Sequence, residues 1–115
     1  MFMDKEKLVA AGIDYDGGVE RLMGNAEMYE NFLQMFVKDD SFEELEKAME
    51  EKDYDKAFAA AHTLKGVAGN LSMTKLYNDL VIFVDYLRNG ADIPSAVEHF
   101  PVLAKLYNDT VAAIN

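Results

Sequence analysis

Apolar residues recur along this chain at helical spacing, and no stretch alternates in the manner of a half-buried strand. Every long segment is amphipathic and needs a shared core. The pattern predicts an all-α fold, an antiparallel four-helix bundle with short additional N-terminal helices. Asp4 is placed to cap a short helix over Lys5 to Ala11, closed by Gly12, and a second short helix over Asp16 to Met23 stops at Gly24. Asn25 then caps a longer helix in which Tyr29, Phe32, Leu33 and Phe36 make one apolar stripe. The next apolar set, Phe42, Leu45 and Met49, falls on nearly the opposite side of a straight helix. Either the helix breaks near Asp39 to Ser41, with Ser41 and Glu44 forming a capping box, or its two halves pack against different neighbours.

Asp53 caps the next helix, which runs to about Asn70 and carries Ala57, Ala60, Leu64, Val67, Ala68 and Leu71 on its core side. Ser72 is the predicted N-cap of the following helix, lined by Met73, Leu76, Tyr77, Leu80, Phe83, Val84 and Leu87 and ended by Asn89-Gly90. Val81 and Ile82 fall off that stripe, which predicts apolar surface beside the preceding helix. Asp92 to Pro94 opens a last helix in which Ala96, Val97, Phe100, Leu103, Tyr107, Val111 and Ile114 keep helical spacing, and Pro101 is expected to bend or break it early.

The anomaly is the other face of the Asp53 helix, which carries Asp55, Phe58, Ala59, His62, Lys65, Gly66 and Gly69. A glycine inside a helix costs about 1 kcal/mol relative to alanine. Two of them, four and seven residues after His62, lie on the one face that holds the histidine, so they clear bare backbone around the imidazole. Lys65 brings an ammonium close by. An exposed, uncrowded imidazole beside a cation suits reversible attachment of an anionic group such as phosphate. The competing reading of the two glycines is close helix packing, stronger for Gly69 than for Gly66. Phe58, one turn before His62, is either a core-edge residue or part of a docking surface.

His62-Thr63-Leu64-Lys65-Gly66 matches the H-x-L-K-G signature of histidine-containing phosphotransfer (Hpt) domains, and Ile13-Asp14, Gly17-Gly18, Arg21, Tyr29, Phe32, Leu33 and Phe36 resemble the N-terminal pattern of small bacterial members. The resemblance spans roughly residues 12 to 90. It implies that His62 is the phosphoacceptor, exchanging a phosphoryl group with aspartates of receiver domains, and that Lys65 stabilises the phosphate charge. From their positions on the histidine's face, and for Ile82 from its place off the core stripe, Phe58, Ala59, Gly66, Gly69 and Ile82 are the expected partner-docking residues. No cofactor is expected on this chain, since the resemblance implies that the receiver brings the magnesium ion, and a monomer is the expected state. One helix over roughly 26 to 51 is also implied. Two positions depart from the family pattern. Ser72 stands where glycine is usual, and Val84, with Asp85 beside it, stands where a Glu or Gln often hydrogen-bonds the ring. Either the tautomer of His62 is less firmly set, or another side chain holds it.

Composition narrows the alternatives. The 115 residues suit a single domain over 1–115, and the absence of cysteine excludes disulfides, thiolate zinc sites and thiol nucleophiles. Eleven basic against twenty-one acidic residues give a net charge of -10, which opposes a phosphate-tracking surface for nucleic acid or anionic lipid. The N-terminal stretch lacks the apolar run of a signal peptide and no window is long enough to span a bilayer, so a cytoplasmic protein is expected. No glycine-rich nucleotide loop is present, which predicts a carrier rather than a kinase. The alternative of a different class is a non-catalytic helical adaptor that binds a receiver domain. A metal bundle is a remote third reading, because neither His62 nor His99 has the Glu-x-x-His spacing such sites use, and His99 is read as structural.

Overall fold

A computed structural model of the protein describes residues 3–115; Met1 and Phe2, which begin the N-terminal stretch discussed above, lie outside it. Seven α-helices are described: α1 (Lys5–Ala10), α2 (Tyr15–Arg21), α3 (Ala26–Val37), α4 (Ser41–Glu50), α5 (Tyr54–Asn70), α6 (Thr74–Leu87) and α7 (Ile93–Ile114). The α3 and α4 pair, α5, α6 and α7 make the four members of the bundle, with α5 packed between α4 and α6, and α7 against both α6 and α3. The bundle is elongated, 42 × 22 × 20 Å. Helices α1 and α2 form a lid over one end.

The caps follow the sequence closely. Side chains of Asp4, Asp14, Asn25, Asp53 and Asp92 each accept from the backbone N–H three residues on, which satisfies one otherwise orphaned donor per helix. Asp92 also accepts from the Ser95 hydroxyl at 2.7 Å. Both hydrogen bonds hold its carboxyl below the usual carboxylate range.

Five expectations need correction. The single helix over 26 to 51 is broken at Lys38 to Asp40, and the reason lies in the aromatic core. Phe36 of α3 and Phe42 of α4 both reach Tyr107 of α7, at ring centroid distances of 5.7 Å and 4.0 Å. Six residues apart on a straight helix, the two rings would point about 120° away from each other. The break lets both pack on one partner. The Ser41 and Glu44 capping box does not form; Asp40 is the N-cap without a side-chain bond, and the Ser41 N–H is taken by the Asp39 carboxylate at 2.8 Å.

Ser72 is not the N-cap of α6, which is Met73; Ser72 sits in the left-handed region at φ 57 and is buried. Pro101 neither ends nor breaks α7, which continues through it. The carbonyl it leaves without a helical donor belongs to Val97, a residue 49% exposed and so within reach of water. Phe32 and Val97, both assigned to core stripes by periodicity, are exposed, while Tyr29, Leu33, Phe36, Leu64, Leu80, Phe83 and Leu103 form the buried centre.

The lid is held by polar contacts as well as by Leu8 and Ile13. The Tyr15 hydroxyl donates to Glu30 at 2.6 Å, inside the protein, and the Met3 N–H donates to the other Glu30 oxygen at 3.2 Å. Tyr29 meets Tyr15 edge-on at 5.4 Å and donates its hydroxyl to the Leu71 carbonyl at 2.6 Å. Burial, then the Glu30 carboxylate, pushes the Tyr15 phenol up to about 12, and burial raises Tyr29 as well.

Two measurements check this account. Ser72→Gly removes a left-handed strain that costs a non-glycine residue about 1–2 kcal/mol and restores the unfolded-state entropy of glycine, so a net gain of about 0.5–1 kcal/mol is expected in urea denaturation. For the lid, an unfolded tyrosine ionises near pH ~10 while folded Tyr15 keeps its proton to about 12. Its contribution is therefore intact below pH ~10 and is lost as pH rises through about 12. Tyr15→Phe should make the decline of melting temperature over that window shallower.

Candidate functional site

Helix α5 buries Ala57, Ala60, Ala61, Leu64 and Ala68 and leaves His62 exposed. Its small core residues let α4 and α6 pack close on either side, so the histidine projects from a helix held along its length. One turn before it, the Phe58 ring lies 5.9 Å from the imidazole, tilted by 42°. Arg88, just after α6, lays its guanidinium 5.2 Å from the centre of the Phe58 ring and stands 3.7 Å from Asp85. A cation over an aromatic face is attracted by the ring quadrupole. Phe58 is thus half-buried, capped by Arg88 on one side and next to His62 on the other.

The two glycines of this face behave differently. A Cβ built on Gly66 would meet nothing within 4 Å, so the backbone one turn beyond His62 is bare and open. A Cβ on Gly69 would lie 2.9 Å from Cε1 and 3.0 Å from Cδ1 of Tyr77, so this glycine admits the Tyr77 ring against α5. Lys65, half-buried toward α6, lines with Gly66 and Gly69 a cleft of about 500 Å³ completed by Arg21, Asn70, Thr74 and Tyr77 among others. Ala59 is exposed and lies along the groove between α5 and α4. Ile82 is 48% exposed but is not beside the histidine helix. It lies with Val102 and Leu106 in the groove between α6 and α7, about 140° around α6 from Tyr77.

The register of α5 against α6 accounts for these neighbours. Gly69 meets Tyr77 and Phe58 meets Arg88, and both pairs are centred on residue 73, where the two helices turn. The same symmetry sets Val84 level with His62. Val84 is fully buried and Asp85 is turned to Arg88, so among the described residues no side chain hydrogen-bonds the His62 ring. Arg88, Tyr77 and Arg21 were not singled out as neighbours of the site from sequence. The first two become legible once the turn at residue 73 is located; Arg21 reaches the site only through a contact 48 residues away, its Nη1 donating to the Gly69 carbonyl at 2.8 Å. His99 lies elsewhere, half-buried, with Nε2 2.9 Å from both Asp79 oxygens, so it ties α7 to α6.

The exposed imidazole, the bare backbone at Gly66 and Lys65 all lie within residues 27–113, which match the model of the Hpt domain family. The chain belongs to the Hpt domain family. Hpt domains carry phosphoryl groups on histidine in phosphorelays, exchange them with receiver domains and generally have no kinase activity of their own. The matched span includes all of α4 to α6 and begins inside α3, so α1, α2 and Arg21 lie outside it. No curated protein and no solved structure matches the chain. Among the described residues no helix is long and apolar enough to cross a membrane.

The unequal settings of the glycines set up a direct comparison. Gly66→Ala meets only open space and gains helix propensity, so it should stabilise the Hpt domain by about 0.5–1 kcal/mol. Gly69→Ala forces the half-buried Tyr77 ring to shift, and overpacking of this kind outweighs the propensity gain, giving a net loss of about 1–2 kcal/mol. Urea midpoints of the two variants, measured side by side, check both signs.

Proposed function

We propose that this Hpt domain is a phosphorelay intermediate: His62 accepts a phosphoryl group from the aspartyl phosphate of one receiver domain and passes it to the aspartate of another. The observation that carries the reading is the open backbone at Gly66 beside an exposed His62, a costly choice inside a helix that only an incoming group explains. In the forward step the lone pair of one ring nitrogen attacks phosphorus, the N–P bond forms and the acyl P–O bond breaks. The aspartate carboxylate leaves with the electron pair, and the opposite ring nitrogen retains the proton. The return step reverses this on a second receiver.

Lys65 places one positive charge where the equatorial phosphoryl oxygens gather, and the remaining neutralisation, magnesium included, is left to the receiver. Phe58, Ala59 and Gly66 form the docking face around His62, with Gly69 contributing through the Tyr77 ring that covers it. Ile82, a helix groove away, stands outside this face. The carrier works as a cytoplasmic monomer and does not take phosphate from ATP. The second reading, a non-catalytic adaptor that binds a receiver, draws on Val84: a ring with no hydrogen-bonding partner on α6 is less firmly oriented for attack.

Purified protein incubated with phosphorylated receiver domains distinguishes the two. The wild type should acquire acid-labile, base-stable phosphate, and His62→Gln should acquire none while still binding the receiver. Label that persists in the variant sinks the assignment of His62. Binding without label on the wild type, across the receivers of the same cell, favours the adaptor.

A further inference from the structure

We propose that the cleft between the lid and α5 is a second contact point for the docked receiver, that it takes a carboxylate-bearing segment at the rim of the receiver's phosphoryl site, and that Arg21 is the residue that recognises it. This rests on the phosphocarrier reading above and names a determinant of partner binding that lies outside the family-matched span.

Arg21 is exposed, yet it is not free to wander. Its Nη1 donates to the Gly69 carbonyl at 2.8 Å, which orients the guanidinium toward the same cleft that Lys65 lines. A guanidinium has five N–H donors, so four remain for a partner. Holding the group in place beforehand lowers the ordering cost of a contact made with it. Two cations in one cleft are out of character for a chain of net charge -10. Asp14, the carboxylate in the cleft wall and the N-cap of α2 through the Gly17 N–H at 3.1 Å, offsets one of the two cations and leaves the cleft with a net positive charge.

The cleft is continuous with the docking face. Lys65 and Gly66 belong to both, and Gly69, where Arg21 is anchored, follows His62 by seven residues, about 10 Å along the helix axis. A partner seated over His62 reaches the cleft, while Arg21 stays clear of the transferred group. Its effect is therefore on association and not on the chemical step. The partner's chemistry complements it: a site that carries an aspartyl phosphate and holds a divalent cation must gather carboxylates around that cation, so its rim is acidic. Attraction between a cationic cleft and an acidic rim steers encounter and weakens with salt.

The test is transfer from a phosphorylated receiver to the full chain, with receiver concentration varied, at low and high ionic strength. Arg21→Gln should raise the half-saturating receiver concentration about three- to ten-fold at low salt, leave the maximal rate within about twofold, and differ less from wild type at high salt. Arg21→Lys, which keeps the charge without the fork, should recover only part of the loss, and chiefly at low salt. Asn70→Asp, on the exposed wall of the same cleft, adds a negative charge without touching the Gly69 bond and should act in the same direction even if Arg21→Gln loosens the lid. Unchanged half-saturation in Arg21→Gln and Asn70→Asp overturns the proposal, whatever happens to their urea midpoints. A fall confined to the maximal rate overturns it too. Failure of the wild type to accept label from any receiver removes the carrier reading together with this one, whereas labelled wild type with indifferent variants removes this one alone.

Discussion

The structure depends on how the polar groups at the end of α5 are satisfied. A helix that stops inside a protein leaves its last carbonyls without partners, and a buried carbonyl with no donor costs on the order of 1–3 kcal/mol. Here the turn supplies some donors, with the Ser72 N–H on the Gly69 carbonyl at 3.2 Å and the Met73 N–H on that of Ala68 at 2.9 Å, and the N-terminal segment adds others. Arg21 donates to the Gly69 carbonyl, Tyr29 to that of Leu71, and the Asp14 N–H to that of Ser72 at 2.8 Å. In return the Lys75 N–H at the start of α6 donates to the Gly12 carbonyl at 3.1 Å. These four bonds join residues 12–29 to residues 69–75. They fix the turn between α5 and α6, and that turn sets the register which brings Tyr77 to Gly69 and Arg88 to Phe58.

With the register set, α5 can meet two opposed demands. Its core side must be filled, and alanines with Leu64 do this while allowing close approach of α4 and α6. Its outer side must stay empty around His62. The emptiness is local: Gly66 is open to solvent, whereas Gly69 is occupied by the Tyr77 ring. Glycines of one face thus stand in two settings, one open to solvent and the other admitting a neighbouring ring. Phe58 joins the ends, because its ring touches the imidazole on one side and carries Arg88 on the other.

Surface charge contributes little to holding the bundle together. The Lys5 to Asp16 and Lys105 to Asp109 pairs are close at 2.7 Å but solvent-exposed, and pairs of this kind contribute at most about 1 kcal/mol each. The His99 to Asp79 contact is different, being half-buried between α7 and α6 beside Phe83 and Tyr86. Together with the aromatic column of Phe36, Phe42, Phe100 and Tyr107 it holds α7 against the rest. The cations along α5 are then notable for their placement rather than for their number, since Lys65 and Arg21 line one cleft with Gly66 and Gly69 while Arg88 lies over Phe58.

What could be read from residues alone was whatever depends on neighbours within a few positions. Four helix caps, the two faces of α5, the isolation of His62 with its glycines and the all-helical bundle all follow from local spacing, because capping and helical periodicity act over three to seven residues. Where the reading went astray, a distant contact had overruled a local preference. The break near Asp39 to Ser41 was one of the two courses the apolar pattern left open, and the continuous helix over 26 to 51 implied by the family resemblance gave way because Phe36 and Phe42 share Tyr107, more than sixty residues away. Ser72 gave up its capping role because its carbonyl is required by Asp14 and its backbone had to turn left-handed. Pro101 was tolerated because Val97 faces water, and Ile82 was assigned to the wrong groove because periodicity tells which residues are exposed but not what they are exposed beside. Local spacing was enough to reveal most of the helices and the candidate nucleophile, whereas the charges and rings along its helix come from packing, since Arg21, Tyr77 and Arg88 are brought there by the register of the helices and by hydrogen bonds that span the chain.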